Sequence, residues 1–281
     1  MTDPFPELNA QPWDAGTRVA LGISYHGSGF AGWQAQPQLA VETVQENLET
    51  ALGCVAAETV TTVCAGRTDA GVHGIGQVVH FDAPCARSEK SWVMGGNRNL
   101  PDGIRVNWAR QVPEDFHARF SALSRRYRYI IANRSVLPPH LAGLVSQQRR
   151  PLDVDLMHRA SQCLLGEQDF SAFRAAQCQA RHAVREITGV RVPRSNDLVL
   201  LDIEANAFLY HMVRNIAGAL QLVGAGLRPV TWIEELLGTG DRTQGADTAS
   251  ASGLYLMAVS YPDRFQLPVA QDSHAFFEAL G

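Results

Sequence analysis

Two successive stretches of this chain repeat one order of hydrophobic patterns, and that order leaves few folds open. In the first, Thr17 to Tyr25 alternates, with Val19, Leu21, Ile23 and Tyr25 on one face, which predicts a half-buried strand. Val41, Val44, Leu48 and Leu52 then recur at helical spacing and stop at Gly53. Glu58 to Cys64 and Ile75 to Asp82 read as strands around a glycine-rich connection. Ser88 to Leu100 reads as a helix weakened by Gly95 and Gly96, and Ile104, Val106 and Trp108 alternate before Pro113. The order is β-α-β-β-α-β.

A looser version follows. Arg126 to Ala132 is a strand, and Asp153 or Asp155 caps a helix carrying Leu156, Ala160, Cys163 and Leu164 up to Gly166. Strands follow at Val184–Val192 and Leu198–Ala205, then an apolar helix from Phe208 to Val223. Pro229 and the box Thr231-x-x-Glu234 start a helix over Ile233 to Leu237, and Leu254 to Tyr261 is a last strand. Two ferredoxin-like or RRM-like units with antiparallel sheets make an α+β chain. At roughly 100–200 residues per domain, 281 residues suit two. The expected division is a disordered lead-in over residues 1–15, a first domain over 16–113 and a second over 114–281. A groove between two such sheets would suit an RNA stem.

Composition narrows the setting. Residues 1–14 hold Asp3, Glu7 and Asp14, three prolines and no base, unlike a secretory or transit leader. No apolar run nears the ~20 residues of a membrane span, so a soluble protein is expected. Cys54, Cys64, Cys85, Cys163 and Cys178 form no C-x-x-C pair, which fits a reducing cytoplasm rather than a disulfide framework or zinc site. The net charge of −4 hides an uneven distribution. From Phe116 to Leu152 there is no acid, yet Arg119, Arg125, Arg126, Arg128, Arg134, Arg149 and Arg150 lie inside. Arg174, Arg181, His182 and Arg185 make a second acid-free stretch. This pattern is the footprint of a phosphate-binding surface; a solvated basic face is the alternative.

Three motifs could carry chemistry. Gly27-x-Gly29-x-x-Gly32 matches a dinucleotide fingerprint, but helical spacing starts only at Val41, so no helix N-terminus is ready for a pyrophosphate. Its glycines better suit a loop that turns tightly and approaches a ligand or the neighbouring domain. Asp69, His73 and His80 could be imagined around a metal, though Gly71 and Gly74 oppose the helix that would align the first two. Cys64 could be a nucleophile or a small buried hydrophobe. The stretch Cys64-Ala65-Gly66-Arg67-Thr68-Asp69-Ala70-Gly71-Val72-His73-Gly74 is more specific. In an extended segment Arg67 and Asp69 project to one side, and a guanidinium keeps a nearby carboxylate ionised, as a nucleophile or base requires. An Asx-turn with a structural ion pair would use the same residues.

Gly66-Arg67-Thr68-Asp69-Ala70-Gly71-Val72-His73 resembles the catalytic signature of the tRNA pseudouridine synthase A family. The resemblance continues in order through Tyr25-x-Gly27-Ser28-x-Phe30-x-Gly32-Trp33-Gln34, Asp115-Phe116-His117-Ala118-Arg119-Phe120-Ser121 and Arg126-Tyr127-Arg128-Tyr129. It ends with Gly166-x-x-Asp169-Phe170, Phe208-x-x-x-Met212-Val213-Arg214-Asn215 and Gly253-Leu254-Tyr255-Leu256. His26 stands where the family usually has an acid.

The resemblance implies the pseudouridine synthase fold with a basic RNA-binding cleft. It implies an isomerase that converts uridine to pseudouridine at tRNA positions 38, 39 and 40, in the anticodon stem-loop, without cofactor or metal. Asp69 matches the essential aspartate, which attacks covalently or deprotonates the ribose. Tyr127 is expected to stack on the flipped uracil and is a candidate to take its C5 proton, though with Tyr129 on the same face it also suits a core strand tyrosine; Arg67 is expected to help extrude the base, and Arg214 to pair with Asp69. A lone arginine on an apolar helix asks for such a carboxylate in any case. RNA contacts are expected from Arg87, from Phe116, His117, Ala118, Arg119 and Phe120, and from Gln177, Cys178, Gln179, Ala180 and Arg181. The resemblance further implies a cytoplasmic homodimer that binds tRNA.

Overall fold

The structure is a computed structural model that describes residues 7–36 and 38–268. It is an α+β protein whose chain divides into two compact units. The first runs to Ala122 and takes the chain back from Val259; the second spans Leu123–Ala258.

In the first unit, β1 (Arg18–Tyr25) is central, antiparallel both to β2 (His73–Asp82) and to β3 (Ile104–Gln111). The short strand Val63–Cys64 pairs with the far part of β2. Helix α1 (Val44–Ala56) buries Val44, Leu48, Ala51, Leu52 and Ala56 with the strand residues Val19, Leu21, Ile23, Val79 and Phe81. Thr43 caps it, accepting from the Glu46 amide while its hydroxyl donates to the Glu46 carboxylate. The helix runs through Gly53, where the sequence predicts a stop, and ends at Ala57 in the left-handed region. A glycine costs a helix about 1 kcal/mol, and the buried Ala56 beyond it offsets that. The predicted helix over 88–100 forms at 89–99, widened to a π-helix at Ser91–Gly95 and ending in one α-turn at Gly96–Asn99. A Cβ on Gly95 would lie 3.0 Å from Val55, so the glycine lets this segment pack onto α1.

The lead-in expected to be disordered is paired where it is described. Pro12–Trp13 forms a short antiparallel ladder with Arg87–Ser88, and the Lys90 amide donates to the Asn9 carbonyl. Residues 1–6 lie outside the described residues. The segment 114–122, assigned by sequence to the second domain, packs in the first unit. There Phe116 and Ala118 share a core with Ala20, Val78 and Phe265.

In the second unit, β4 (Ser124–Asn133) pairs antiparallel with β7 (Leu198–Ala205), which pairs with β6 (Val184–Arg191). A strand the sequence reading missed, β5 (Gly166–Asp169), closes the edge against β6. Its residues, Gly-Glu-Gln-Asp, carry no apolar alternation to betray it. Asp153 caps α2 (Val154–Ser161), accepting from the amides of Asp155 and Leu156. The helix predicted over 208–223 is α3 (Met212–Gly224), starting later because His211 sits at φ 61°. The expected capping box at Thr231 does not form: α4 (Trp232–Thr239) starts without a side-chain cap, and the Thr231 hydroxyl bonds Glu235 instead. β8 (Leu254–Ser260) begins in this unit and its chain continues into the first. No helix among the described residues is long and apolar enough to cross a membrane.

Candidate active site

The loop that carries Asp69 joins Val63–Cys64 to β2, and backbone-directed bonds fix it from both sides. Gln77 is fully buried at the core-facing position of β2, where its amide donates to the Gly66 carbonyl (2.6 Å) and accepts from the Gly66 amide (3.4 Å). The Thr68 carbonyl accepts from the Trp33 amide (2.9 Å), and the Thr68 hydroxyl bonds the Tyr25 hydroxyl (2.8 Å). The Val72 amide closes a turn on the Asp69 carbonyl (3.1 Å). Exposure alternates along the segment: Arg67 is exposed, Thr68 buried and Asp69 half-buried.

The first glycine loop is the other wall of this arrangement. Gly27–Gly29 is a 3-10 turn, and α1 starts only at Val44, so a dinucleotide site lacks its helix N-terminus here. A Cβ on Gly27 would lie 2.0 Å from the Val72 carbonyl oxygen. One on Gly32, at φ 96°, would lie 2.9–3.1 Å from backbone atoms of Thr68, Asp69 and Ala70. The glycines thus permit backbone-on-backbone contact with the Asp69 loop of the same unit. The Gly27 amide donates to His73 Nδ1 (3.0 Å), and His26 meets the His73 ring edge-on. The Ala118 amide donates to His80 Nδ1 (3.1 Å). Burial, then the neighbouring His117 and Arg18, hold His80 down at about 4. Burial pushes the Cys64 thiol up to about 12, which suits a core residue and not a nucleophile.

The central segment separates into core and surface. Phe116 and Ala118 are fully buried, so as side chains they are not RNA contacts. The Phe116 ring packs against Phe265 and Tyr261, and the Ala118 carbonyl accepts from the Tyr261 hydroxyl. His117 and Phe120 stack at 4.3 Å, with Phe120 75% exposed and the Arg119 guanidinium 5.6 Å from its ring. Arg87 is directed inward: its guanidinium donates to the Val55 and Ala86 carbonyls.

In the second unit, Tyr127 is buried in β4, edge-on to Phe208 at 5.0 Å. Arg214 projects half-buried from the first turn of α3, donating to the Ala249 carbonyl (2.8 Å). The backbone just before that turn holds His211 in the left-handed region, its ring stacked on Tyr210 at 3.9 Å. The Arg174 guanidinium donates to the carbonyls of Cys178 (2.8 Å) and Ala180 (2.7 Å), and the Ala175 amide to that of Tyr210. One arginine thereby shapes the segment in which Gln177, Gln179 and Arg181 are exposed while Cys178 and Ala180 are half-buried.

The acid-free stretch is less basic in space than in sequence. Its strand β4 lies beside β7, where Arg128 faces Asp202 and Arg126 faces Glu204 in register. The buried Arg128 makes a two-bond pair with Asp202, which Arg191 joins, and Arg134 pairs with Asp197. Partners supplied across the sheet are invisible to a count along the chain. Gln77, Tyr25 and Arg174 as loop-holding residues were also missed. An amide alone on the core-facing side of an alternating strand was the available signal for Gln77, since a buried polar group must find partners.

The family model described as tRNA pseudouridine synthase matches residues 23–121 and 160–262, which include the Asp69 loop, the His117 segment and Arg214. The chain is 56% identical to tRNA pseudouridine synthase A of Shigella boydii over 251 residues, covering 89% of this chain and 92% of that protein. It is 54% identical to tRNA pseudouridine synthase A of Salmonella typhimurium over 261 residues, covering 93% and 96%. Among solved structures it has a distant likeness, 13% identical with a TM-score of 0.33, to a chain from the crystal structure of a Cbf5-Nop10-Gar1 complex. That match covers 85% of this chain and 48% of the other. Matched by the family model over more than half its length, and more than half identical to full-length relatives, the chain belongs to the tRNA pseudouridine synthase family.

Proposed function

We propose that this protein isomerises uridine to pseudouridine at positions 38, 39 and 40 of the tRNA anticodon stem-loop, with Asp69 as its catalytic residue. The observation that supports this most is the half-buried Asp69 on the family's signature loop, whose neighbours Gly66 and Thr68 are held by Gln77, Tyr25 and Trp33. A preorganised group needs no rearrangement when the reaction begins. The target uridine is flipped out of its stem at a cost of a few kcal/mol. Arg67, exposed on the loop, helps to extrude it and fills the gap. Tyr127, held edge-on by Phe208, stacks on the uracil. Asp69, for which the family resemblance makes Arg214 the expected cationic partner, opens the N1–C1′ glycosidic bond by attack or by taking a ribose proton. The uracil turns and rejoins through C5 as Asp69 leaves C1′ or returns the ribose proton; N1 gains a proton, and C5 loses its proton to a base, for which Tyr127 is the candidate.

His117, Arg119 and Phe120, together with Gln177, Gln179 and Arg181, make the RNA contacts. The protein works in the cytoplasm as a homodimer on tRNA. In purified protein incubated with unmodified tRNA, Asp69→Ala should abolish pseudouridine at all three positions, mapped by sequencing, while tRNA binding persists. Full turnover by that variant would remove the catalytic assignment and leave an RNA-binding protein.

A further inference from the structure

The catalytic loop is anchored on its N-terminal side by a pair of hydroxyls that the reaction itself does not call for. Tyr25 is 5% and Thr68 7% exposed, and their hydroxyl oxygens lie 2.8 Å apart. Tyr25 has little room to move. Its ring packs on Trp33 at 5.8 Å and lies over Gly74, where a Cβ would come within 2.4 Å of it. Trp33 in turn donates its amide to the Thr68 carbonyl. The side chain and the main chain of Thr68 are therefore both tied to one aromatic corner of β1 and the glycine loop. The next residue is Asp69. A β-branched side chain has few χ1 options, so fixing the Thr68 hydroxyl fixes the backbone that aims the carboxylate.

We infer that Tyr25 and Thr68 are positioning residues for the reaction, their buried hydroxyl pair setting the direction of the Asp69 carboxylate. This rests on Asp69 being the catalyst. A pair that served stability alone would move the melting temperature and leave the chemical step untouched. Misplacement of a reacting group by about 1 Å can cost about 100-fold in rate, so the loss expected from either hydroxyl is about 10- to 100-fold.

The test is single-turnover pseudouridine formation with enzyme in excess over tRNA, where the plateau rate reports chemistry and its concentration dependence reports binding. Tyr25→Phe and Thr68→Val should each lower the plateau rate by that factor, with the half-saturating enzyme concentration unchanged. The double variant should be no slower than the worse single one, and Thr68→Ser should restore the rate towards the parent value. A parent-like rate for Tyr25→Phe, or losses that multiply in the double variant, would overturn the inference. Should Tyr25→Phe lose its cooperative melting transition, the valine and serine variants at position 68 decide: equal rates overturn the inference, and a faster serine variant supports it. Asp69→Ala is assayed alongside. Turnover there would sink the catalytic assignment, whereas an inactive Asp69→Ala beside a fully active Tyr25→Phe would sink only the positioning role.

Discussion

At the scale of single residues, the first unit is organised around polar groups that the core makes inflexible. Gln77, His73, His80 and the Tyr25–Thr68 pair are all buried, and each holds a backbone or hydroxyl partner. Unmade, such bonds cost about 1–3 kcal/mol each, so the loops they hold have one arrangement. His80 adds a pH response. Its imidazole stays neutral in the fold because burial lowers it from 6.5 to about 4. The unfolded chain takes up that proton as pH falls through 6.5, while the folded chain does so only near 4. The stability His80 contributes is therefore complete above pH 6.5 and lost between 6.5 and 4. Urea midpoints measured from pH 8 to 4 should fall over that window. His80→Gln, whose amide oxygen can still accept from the Ala118 amide, should fall less. An identical pH profile for the two proteins would refute this account.

At the scale of elements, Arg174 makes a segment without regular structure into a shaped loop by bonding the Cys178 and Ala180 carbonyls. Arg174→Ala should release those carbonyls and raise hydrogen exchange at residues 176–182 by tenfold or more, with α3 unaffected. Unchanged exchange would show that the loop holds itself. The elements themselves were legible where apolar residues alternate or recur at helical spacing. β1, β2, β6 and β7 begin and end within a few residues of their sequence readings. The failures have physical causes. β5 is polar on both faces at a sheet edge, so periodicity had nothing to register. α3 begins four residues late because a left-handed His211 interrupts an otherwise helical pattern. In the candidate site, the signature glycines were visible as glycines. That Gly32 faces the Asp69 loop is a through-space fact, as are the carboxylates that meet Arg128 and Arg134.

At the scale of the molecule, those carboxylates limit how much of the arginine count is available to RNA. Arg128, Arg134 and Arg191 already have acidic partners, and Arg87 faces carbonyls. Affinity for tRNA should still fall with salt, since Arg119 and Arg181 are exposed. The slope should, however, be shallower than the number of arginines in the two acid-free stretches implies. Binding measured from 50 to 300 mM potassium chloride, about a sixfold span in concentration, checks this. Charge-removing variants at Arg119 and Arg181 should each reduce the slope by about one, and Arg128→Met should not reduce it. Equal reductions for all three would contradict the pairing.

The first unit is also discontinuous in the chain. Its core includes Phe265, with Tyr261 packed against it, yet the rest of that core precedes Ala122. On a ribosome adding about 5–20 residues per second, Tyr261 and Phe265, which pack on Phe116, are made roughly 7–30 s after Phe116 itself. Through that interval the strands that carry Asp69 exist without the side chains that close over Phe116. Birth order and spatial order therefore disagree in this protein. The Asp69 loop is synthesised well before the second unit, and the unit that holds it is completed only after that second unit has been made.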